Sequence, residues 1–285
     1  MIDMIHVKNL AYQYPGTPKK AIRGISFSIS KGEIFGFLGP SGSGKSTTQK
    51  ILFKLLSSYE GEAQIDNREV RDWSNDLYTK IGVGFELPNH YLKLTAIENL
   101  SFFKNFYSRT HNPMELLERV GLKEHAHRKV GDFSKGMKMR LNFVRSFLHD
   151  PEILFLDEPT SGLDPVTAKV VKDIIHELRS KGKTIFITTH QMHDAEQLCD
   201  RVAFIVDGEI KTMDSPENLK IRHSHRSVEV LFRNSKVKEV FNLDGLGQNE
   251  LFLNKLNQQE IETIHSREAT LDDIFIRVTG KSLDT

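Results

Sequence analysis

Gly39-Pro-Ser-Gly-Ser-Gly-Lys-Ser-Thr47 is entered from Glu33-Ile-Phe-Gly-Phe-Leu38 and left through Thr48-Gln-Lys-Ile-Leu-Phe-Lys-Leu-Leu56. A short apolar run feeds a glycine-rich turn, and helical spacing of apolar residues starts directly afterwards. That strand–loop–helix context separates a phosphate loop from a chance match to GxxxxGK[ST]. Gly39, Gly42 and Gly44, with Pro40, Ser41 and Ser43 between them, let the backbone curl until several N–H groups face inward as an anion nest. The helix expected from about Lys45, through Ser46 and Thr47 to near Ser58, adds the positive end of its dipole. Lys45 reaches β- and γ-phosphates, and the Ser46 hydroxyl is placed to ligate magnesium. A Gly/Ser-rich turn with an exposed lysine is the plainer alternative, and the flanking pattern argues against it. The stretch reads as a nucleoside triphosphate site.

Around that loop the chain has 285 residues, enough for one large or two modest domains. Thirty-nine basic residues against thirty-eight acidic ones leave it nearly neutral, so no nucleic-acid surface is expected. The one cysteine, Cys199, excludes an internal disulfide and fits a reducing compartment as a small buried apolar residue. The start, MIDMIHVKNL, lacks the basic flank and long apolar region of a signal peptide. No apolar run approaches the roughly 18 residues needed to span a bilayer. The expectation is a soluble, cytoplasmic chain whose role at a membrane comes through a partner.

Taken in order, Ile5–Leu10 and Ile22–Ser30 alternate with period two and predict strands of an antiparallel layer. Glu33–Leu38, Glu62–Asp66 and Ile81–Glu86 predict further strands, and Leu87 to about His149 turns helical. The sheet pattern resumes at Glu152. Ile153-Leu-Phe-Leu156 suits a strand buried on both faces. Helix, strand and helix follow at Pro165–Ser180, Thr184–Thr189 and Met192–Leu198, then a hairpin turned by Asp207-Gly208. Arg222-His-Ser-His-Arg226 reads as a linker, which sets residues 1–221 apart from a small accessory domain at 222–285. His125-Ala-His127 and His223-Ser-His225 have metal-pair spacing, but no further ligand cluster supports them and they read as solvated.

The second half of the site lies at the end of the buried strand. Phosphoryl transfer needs neutralised charge, a positioned water and something to aim it. Asp157 would hold magnesium through its water shell. Glu158, one residue on, points elsewhere and can act as general base on the attacking water. A surface Asp-Glu pair is the alternative, though such pairs seldom end so apolar a run.

Here the chain resembles the nucleotide-binding subunits of ATP-binding cassette (ABC) transporters over residues 4–215. Besides the phosphate loop, Phe133-Ser-Lys-Gly-Met137 looks like the ABC signature, Ile153–Glu158 like the Walker B strand, Ser161-Gly-Leu-Asp164 like the D-loop and Thr189-His190 like the switch histidine. The resemblance implies an α/β fold: a P-loop NTPase core with an antiparallel β layer and a helical insertion at about 87–149. It implies ATP and magnesium as ligands and a second cassette, identical or related, that sandwiches two ATP molecules. Ser134 and the Gly136 N–H would touch the γ-phosphate held by the opposite subunit, and Asp164 would cross that interface. His190 would hydrogen-bond the γ-phosphate, and Tyr14 would stack on adenine, with Tyr12 as its rival.

Two departures stand out. The signature is FSKGM rather than LSGGQ, so Lys135 adds a charge near the interface. Glu86 replaces the usual Q-loop glutamine; a carboxylate still ligates magnesium but donates no hydrogen bond. With the segment ending in Thr270-Leu-Asp-Asp-Ile-Phe-Ile-Arg-Val-Thr-Gly280, these variants resemble bacterial drug, antibiotic or sodium exporter cassettes encoded apart from their membrane subunit. The expectation is an ATPase that energises a multi-span permease from the inner face of the cell membrane, with Leu87–Leu94 and Phe102–Tyr107 as the contact surface. The rival functions are a soluble ABC ATPase on ribosomes or DNA, which usually carries two cassettes or long insertions, and a regulatory module without useful turnover.

Overall fold

The computed structural model describes residues 3–223, 227–233, 235–267 and 269–281. The chain opens with β1 (Asp3–Tyr12) and β2 (Ile22–Ser30), then β3 (Ile34–Leu38), α1 (Lys45–Leu52), β4 (Glu60–Ile65) and β5 (Arg68–Glu69). A short α2 (Leu77–Lys80) leads into β6 (Ile81–Gly84). Three helices follow, α3 (Ala96–Lys104), α4 (Pro113–Arg119) and α5 (Lys135–Ser146). Then come β7 (Ile153–Asp157), α6 (Pro165–Ser180), β8 (Thr184–Thr189), α7 (Met192–Leu198), β9 (Arg201–Val206) and β10 (Glu209–Asp214).

These strands form two sheets. The first has the order β2-β1-β4-β5 and is antiparallel, as the alternation predicts. The second, β10-β9-β3-β8-β7-β6, is parallel except for its edge strand β10. Its interior strands are apolar runs because both faces are covered. Phe27 of β2 stacks on Phe35 of β3 and Phe186 of β8, with Phe37 and Phe155 alongside, so the layers share one aromatic core. Each buried ring removes enough apolar surface to contribute about 1.5–3 kcal/mol.

The expected helical insertion lies between β6 and β7, which are neighbours in the sheet, so its helices leave and return at one edge. Local chemistry starts each helix. Thr95 and Glu98 form a reciprocal capping box on α3. Asn112 caps α4 ahead of Pro113. One expectation needs correcting: α1 ends at Leu52, not near Ser58. Lys54 sits at φ +60°, a left-handed conformation that stops the helix, and Leu55 is exposed.

The described chain divides at Ser215 rather than at Arg222. The expected linker residues Arg222 and His223 are the last turn of α8 (Pro216–His223), and 224–226 lie outside the described residues. Leu219 of α8 is fully buried, and the His223 carbonyl accepts a 2.7 Å hydrogen bond from Arg277, so the helix belongs to the second unit. That unit continues with β11 (Ser227–Phe232), β12 (Glu239–Asn242), α9 (Glu250–Gln258), β13 (Ile261–Arg267) and α10 (Leu271–Thr279). Its sheet, β12-β11-β13, has its own core of Val228, Val230, Phe232, Phe241 and Phe252.

Candidate active site

Three adjacent parallel strands end at one place. β8 lies between β3 and β7, with Leu38 level with Thr189 and Asp157 level with Thr188. The phosphate loop, the carboxylate pair and the histidine therefore leave the same edge of the sheet, where open α/β sheets bind ligands. The loop is built around glycine. A Cβ on Gly39 would lie 2.1 Å from the Ile205 carbonyl oxygen, and Gly44 holds φ +113° as it opens α1. No side chain caps α1, so its first N–H groups are left for an anion. The buried Ser43 Oγ has no hydrogen-bond partner among the described residues. Lys45 is buried and folds back, donating to the carbonyls of Gly39 (2.6 Å) and Pro40 (3.0 Å). Burial holds its ammonium below the ordinary lysine pKa, against the pull of Glu158, Asp157 and Glu86. A buried cation resting on carbonyls beside an N–H nest is a cradle for phosphate.

Ser46 Oγ lies 3.5 Å from Asp157 Oδ2, and Thr188 donates to the other oxygen of Asp157. Gln49 donates to Thr188 Oγ1 at 3.2 Å, so a polar chain from α1 holds the aspartate. Burial pushes the Asp157 carboxyl above its ordinary value; Thr188 works against that shift, and the Glu86 charge adds to it. The Ser46 hydroxyl and the Asp157 carboxylate are oxygen donors, which suit a hard cation such as magnesium. Glu158 is 4% exposed. Its Oε2 accepts from Thr189 Oγ1 (2.8 Å), and its Oε1 accepts from the His190 N–H (2.9 Å) and faces His190 Nδ1 (2.6 Å). Its backbone holds φ +49°, strained for a residue with a side chain and of the kind that collects at functional sites.

A model of the family described as ABC transporter matches residues 22–161, and one described as the fluoroquinolone efflux ABC transporter C-terminal domain matches residues 226–268. A fluoroquinolones export ATP-binding protein of Mycobacterium tuberculosis is 53% identical, across 99% of this chain and 95% of its own. The chain is an ABC transporter ATP-binding subunit. A bacitracin transport ATP-binding protein of Bacillus licheniformis is 32% identical over 98% of both chains. Among solved structures, an ATP-binding cassette dimer in a post-hydrolysis state with ADP and Pi is 29% identical. It has a TM-score of 0.69 and covers 74% of this chain and 98% of its own.

The remaining residues expected at the site of this ABC subunit lie around the phosphate loop or away from it. Tyr14 donates to or accepts from Thr47 Oγ1 at 3.1 Å, which sets it beside the phosphate loop. Tyr12 is 6% exposed, packed edge-on against Tyr14 inside the core, and so unsuited to adenine. Glu86 is exposed on the turn after β6. Ser134 and Asp164 are helix caps. Ser134 Oγ accepts from the Met137 N–H (3.2 Å), which leaves its own hydroxyl proton to donate. Asp164 accepts from the Thr167 hydroxyl and from the Thr167 and Val166 N–H groups, which hold its carboxyl below the ordinary range. The signature and D-loop adjoin one another: a Cβ on Gly136 would lie 3.6 Å from Leu163, and Lys135 lies along Gly162. Their hydrogen bonds are local and do not reach residues 39–47.

Sequence reasoning passed over Gln49, Thr188 and Thr189, the hydroxyls and amide that hold the two carboxylates. A strand ending in two threonines beside a carboxylate strand was the available signal. Cys199 is buried as expected, and burial pushes its thiol up. His225 lies outside the described residues.

Proposed function

We propose that this subunit hydrolyses ATP to drive an exporter of fluoroquinolone-like antibiotics, as one of two cassettes beneath a multi-span permease at the inner face of the cell membrane. The observation that carries the hydrolytic reading is the Glu158 carboxylate, buried and aimed by Thr189 and His190 one residue beyond Asp157. Likeness over 99% of the chain to a fluoroquinolones export subunit supports the substrate class.

In this reading the ATP phosphates occupy the N–H nest of residues 39–47, and Lys45 moves from the loop carbonyls to the β- and γ-phosphates. Ser46, Asp157 and Glu86 would hold magnesium, which would supply positive charge against those phosphates. Glu158 takes the proton of the attacking water while the bond from the γ-phosphorus to the bridging oxygen breaks, giving ADP and phosphate. His190, tied to Glu158 through Nδ1, keeps Nε2 for the γ-phosphate. Ser134 and Gly136 serve the ATP of the second subunit, Asp164 crosses to it, and Tyr14 stacks on adenine.

Among the described residues no helix is long and apolar enough to cross a membrane. Contact with the permease falls to the surface beside the site. A groove of about 380 Å³ is lined by Phe53, Tyr78, Phe85, Phe103, Tyr107 and Arg145. Leu87, Tyr91, Leu92, Phe102 and Phe106 stand exposed nearby in sequence. An apolar surface of this kind marks a binding site for protein.

Replacing Glu158 by Gln should retain ATP binding, cut turnover by roughly 10²–10⁴-fold and let an ATP-bound dimer accumulate. In cells with the permease it should also abolish drug efflux. Steady-state turnover at the wild-type rate would remove Glu158 from the role.

A further inference from the structure

Away from the nucleotide pocket, a buried polar network joins the loop after Glu158 to α6 and α7. Asp194, in the first turn of α7, is 8% exposed and bonds through both oxygens. Oδ2 accepts from the hydroxyl of Thr160 at 2.5 Å, and Oδ1 accepts from the ammonium of Lys172 on α6 at 2.5 Å. Lys172 is itself held by Gln197 Oε1 at 2.7 Å. The groove between the two helices reaches these groups, yet Thr160 remains 5% exposed.

Thr160 stands two residues after Glu158 and four before Asp164. Glu158 N–H donates to the Thr188 carbonyl of β8 (2.9 Å), but beyond that residue the loop is held by two backbone bonds: Ser161 N–H to the Glu158 carbonyl (3.1 Å) and Leu163 N–H to the Thr160 carbonyl (3.2 Å). Those two bonds are internal to the loop and do not tie it to anything else. The Thr160 hydroxyl is a tether to another element, and α7 begins just after His190, which bonds Glu158 from the other side. Glu158 is thus gripped from both ends of one short path, directly by His190 and through the loop by Asp194. A strained φ of +49° persists only where its surroundings over-determine it, and the tether supplies one of those constraints.

We propose that Asp194 is a positioning residue for hydrolysis, acting through Thr160 to hold Glu158 in its strained, productive backbone and to fix the entry to the D-loop. The inference rests on the reading of Glu158 as the base. A purely structural ion pair would cost stability when broken but would leave the turnover of the folded protein alone. A positioning tether lowers kcat and leaves nucleotide affinity in place, because residues 39–47 do not take part.

The test measures kcat, KM, nucleotide affinity and thermal stability on the full chain carrying Thr160→Val, Thr160→Ser or Asp194→Asn, beside Glu158→Gln. Thr160→Val is nearly isosteric and should lower kcat by about tenfold, within the roughly hundredfold that a 1 Å misplacement costs. KM and ATP affinity should hold, and Thr160→Ser, which restores the hydroxyl, should recover most of the rate. Thr160→Val combined with Asp194→Asn should be no slower than the slower single variant, since the asparagine, with one acceptor oxygen and no charge, weakens the same tether that the valine removes. Should the Asp194→Asn protein not fold, the valine–serine comparison decides alone. A folded Thr160→Val protein with wild-type kcat, or a loss that serine does not recover, overturns the proposal while Glu158→Gln remains inactive. If Glu158→Gln is itself active, the hydrolytic reading has failed instead.

Discussion

Glu86 and Asp157 carry like charge at the end of adjacent strands, β6 and β7. Burial already pushes the Asp157 carboxyl up, and the charge of the exposed Glu86 adds to that shift, with Lys45 as the buried cation nearby. A divalent cation held by both would relieve that repulsion, and cation affinity rises with the number of charged ligands. Glu86→Gln removes one such charge and restores a hydrogen-bond donor. The magnesium concentration for half-maximal ATPase activity should rise severalfold in that variant; an unchanged magnesium titration would take Glu86 off the metal. Legibility differed from residue to residue. Asp157 and Glu158 could be read because adjacent carboxylates ending an apolar run are hard to explain otherwise. Tyr12 and Tyr14 could not be separated, since only packing shows that Tyr12 is in the core and Tyr14 on Thr47. Thr160 and Asp194 were invisible: two ordinary polar side chains stand 34 positions apart in the chain until the fold brings them together.

At the scale of elements, the strands were legible because burial on one or both faces writes itself into the residue pattern. Asp164 ahead of Pro165 marks the start of α6 at the chain level, and the N-cap bonds confirm it. The end of α1 was not legible, because Lys50 to Leu56 keeps helical spacing while the backbone turns at Lys54. The segment after β6 shows how an irregular stretch is held rigid. Buried Asn99 of α3 accepts from the Tyr91 N–H (3.0 Å) and donates to the Tyr91 carbonyl (3.1 Å), and the Leu92 carbonyl accepts from Gly131 (2.9 Å). Tyr91 and Leu92 are therefore presented to solvent, 48% and 54% exposed, on a fixed backbone. Tyr91 packs on Phe102 and Phe103, and Phe103 also lines the groove. Charge placed there should spoil docking without touching the nucleotide pocket. The double variant Tyr91→Asp, Leu92→Asp should keep basal ATPase activity within about twofold while co-purification with the permease and drug efflux fall, since an unpaired charge buried in an interface is costly. Full efflux by that variant would exclude this surface.

At the scale of the whole molecule, the chain is two units with separate cores. Every residue proposed for nucleotide or metal lies before Asp214, within the unit that holds the two packed sheets. The second unit has its own three-stranded sheet and its own aromatic pair, Phe241 on Phe252. Its first helix, α8, could not be assigned from sequence because a short polar segment with two histidines looks like a linker; Leu219 and the bond from Arg277 show where it belongs. This moves the cleavage point for separating the units from the neighbourhood of Arg222 to Asp214. Cutting near Ile221 would leave most of α8 without the packing that buries Leu219, and exposed apolar surface of that kind promotes association. A chain ending at Asp214 keeps β10 paired with β9 and the whole strand set of the nucleotide pocket. It should bind ATP with a dissociation constant within about threefold of the full chain, measured by titration with a fluorescent ATP analogue. It should also unfold in one transition, as expected for a unit with one core. If the shortened protein is folded by circular dichroism but no longer binds ATP, the carboxy-terminal unit is part of the binding machinery.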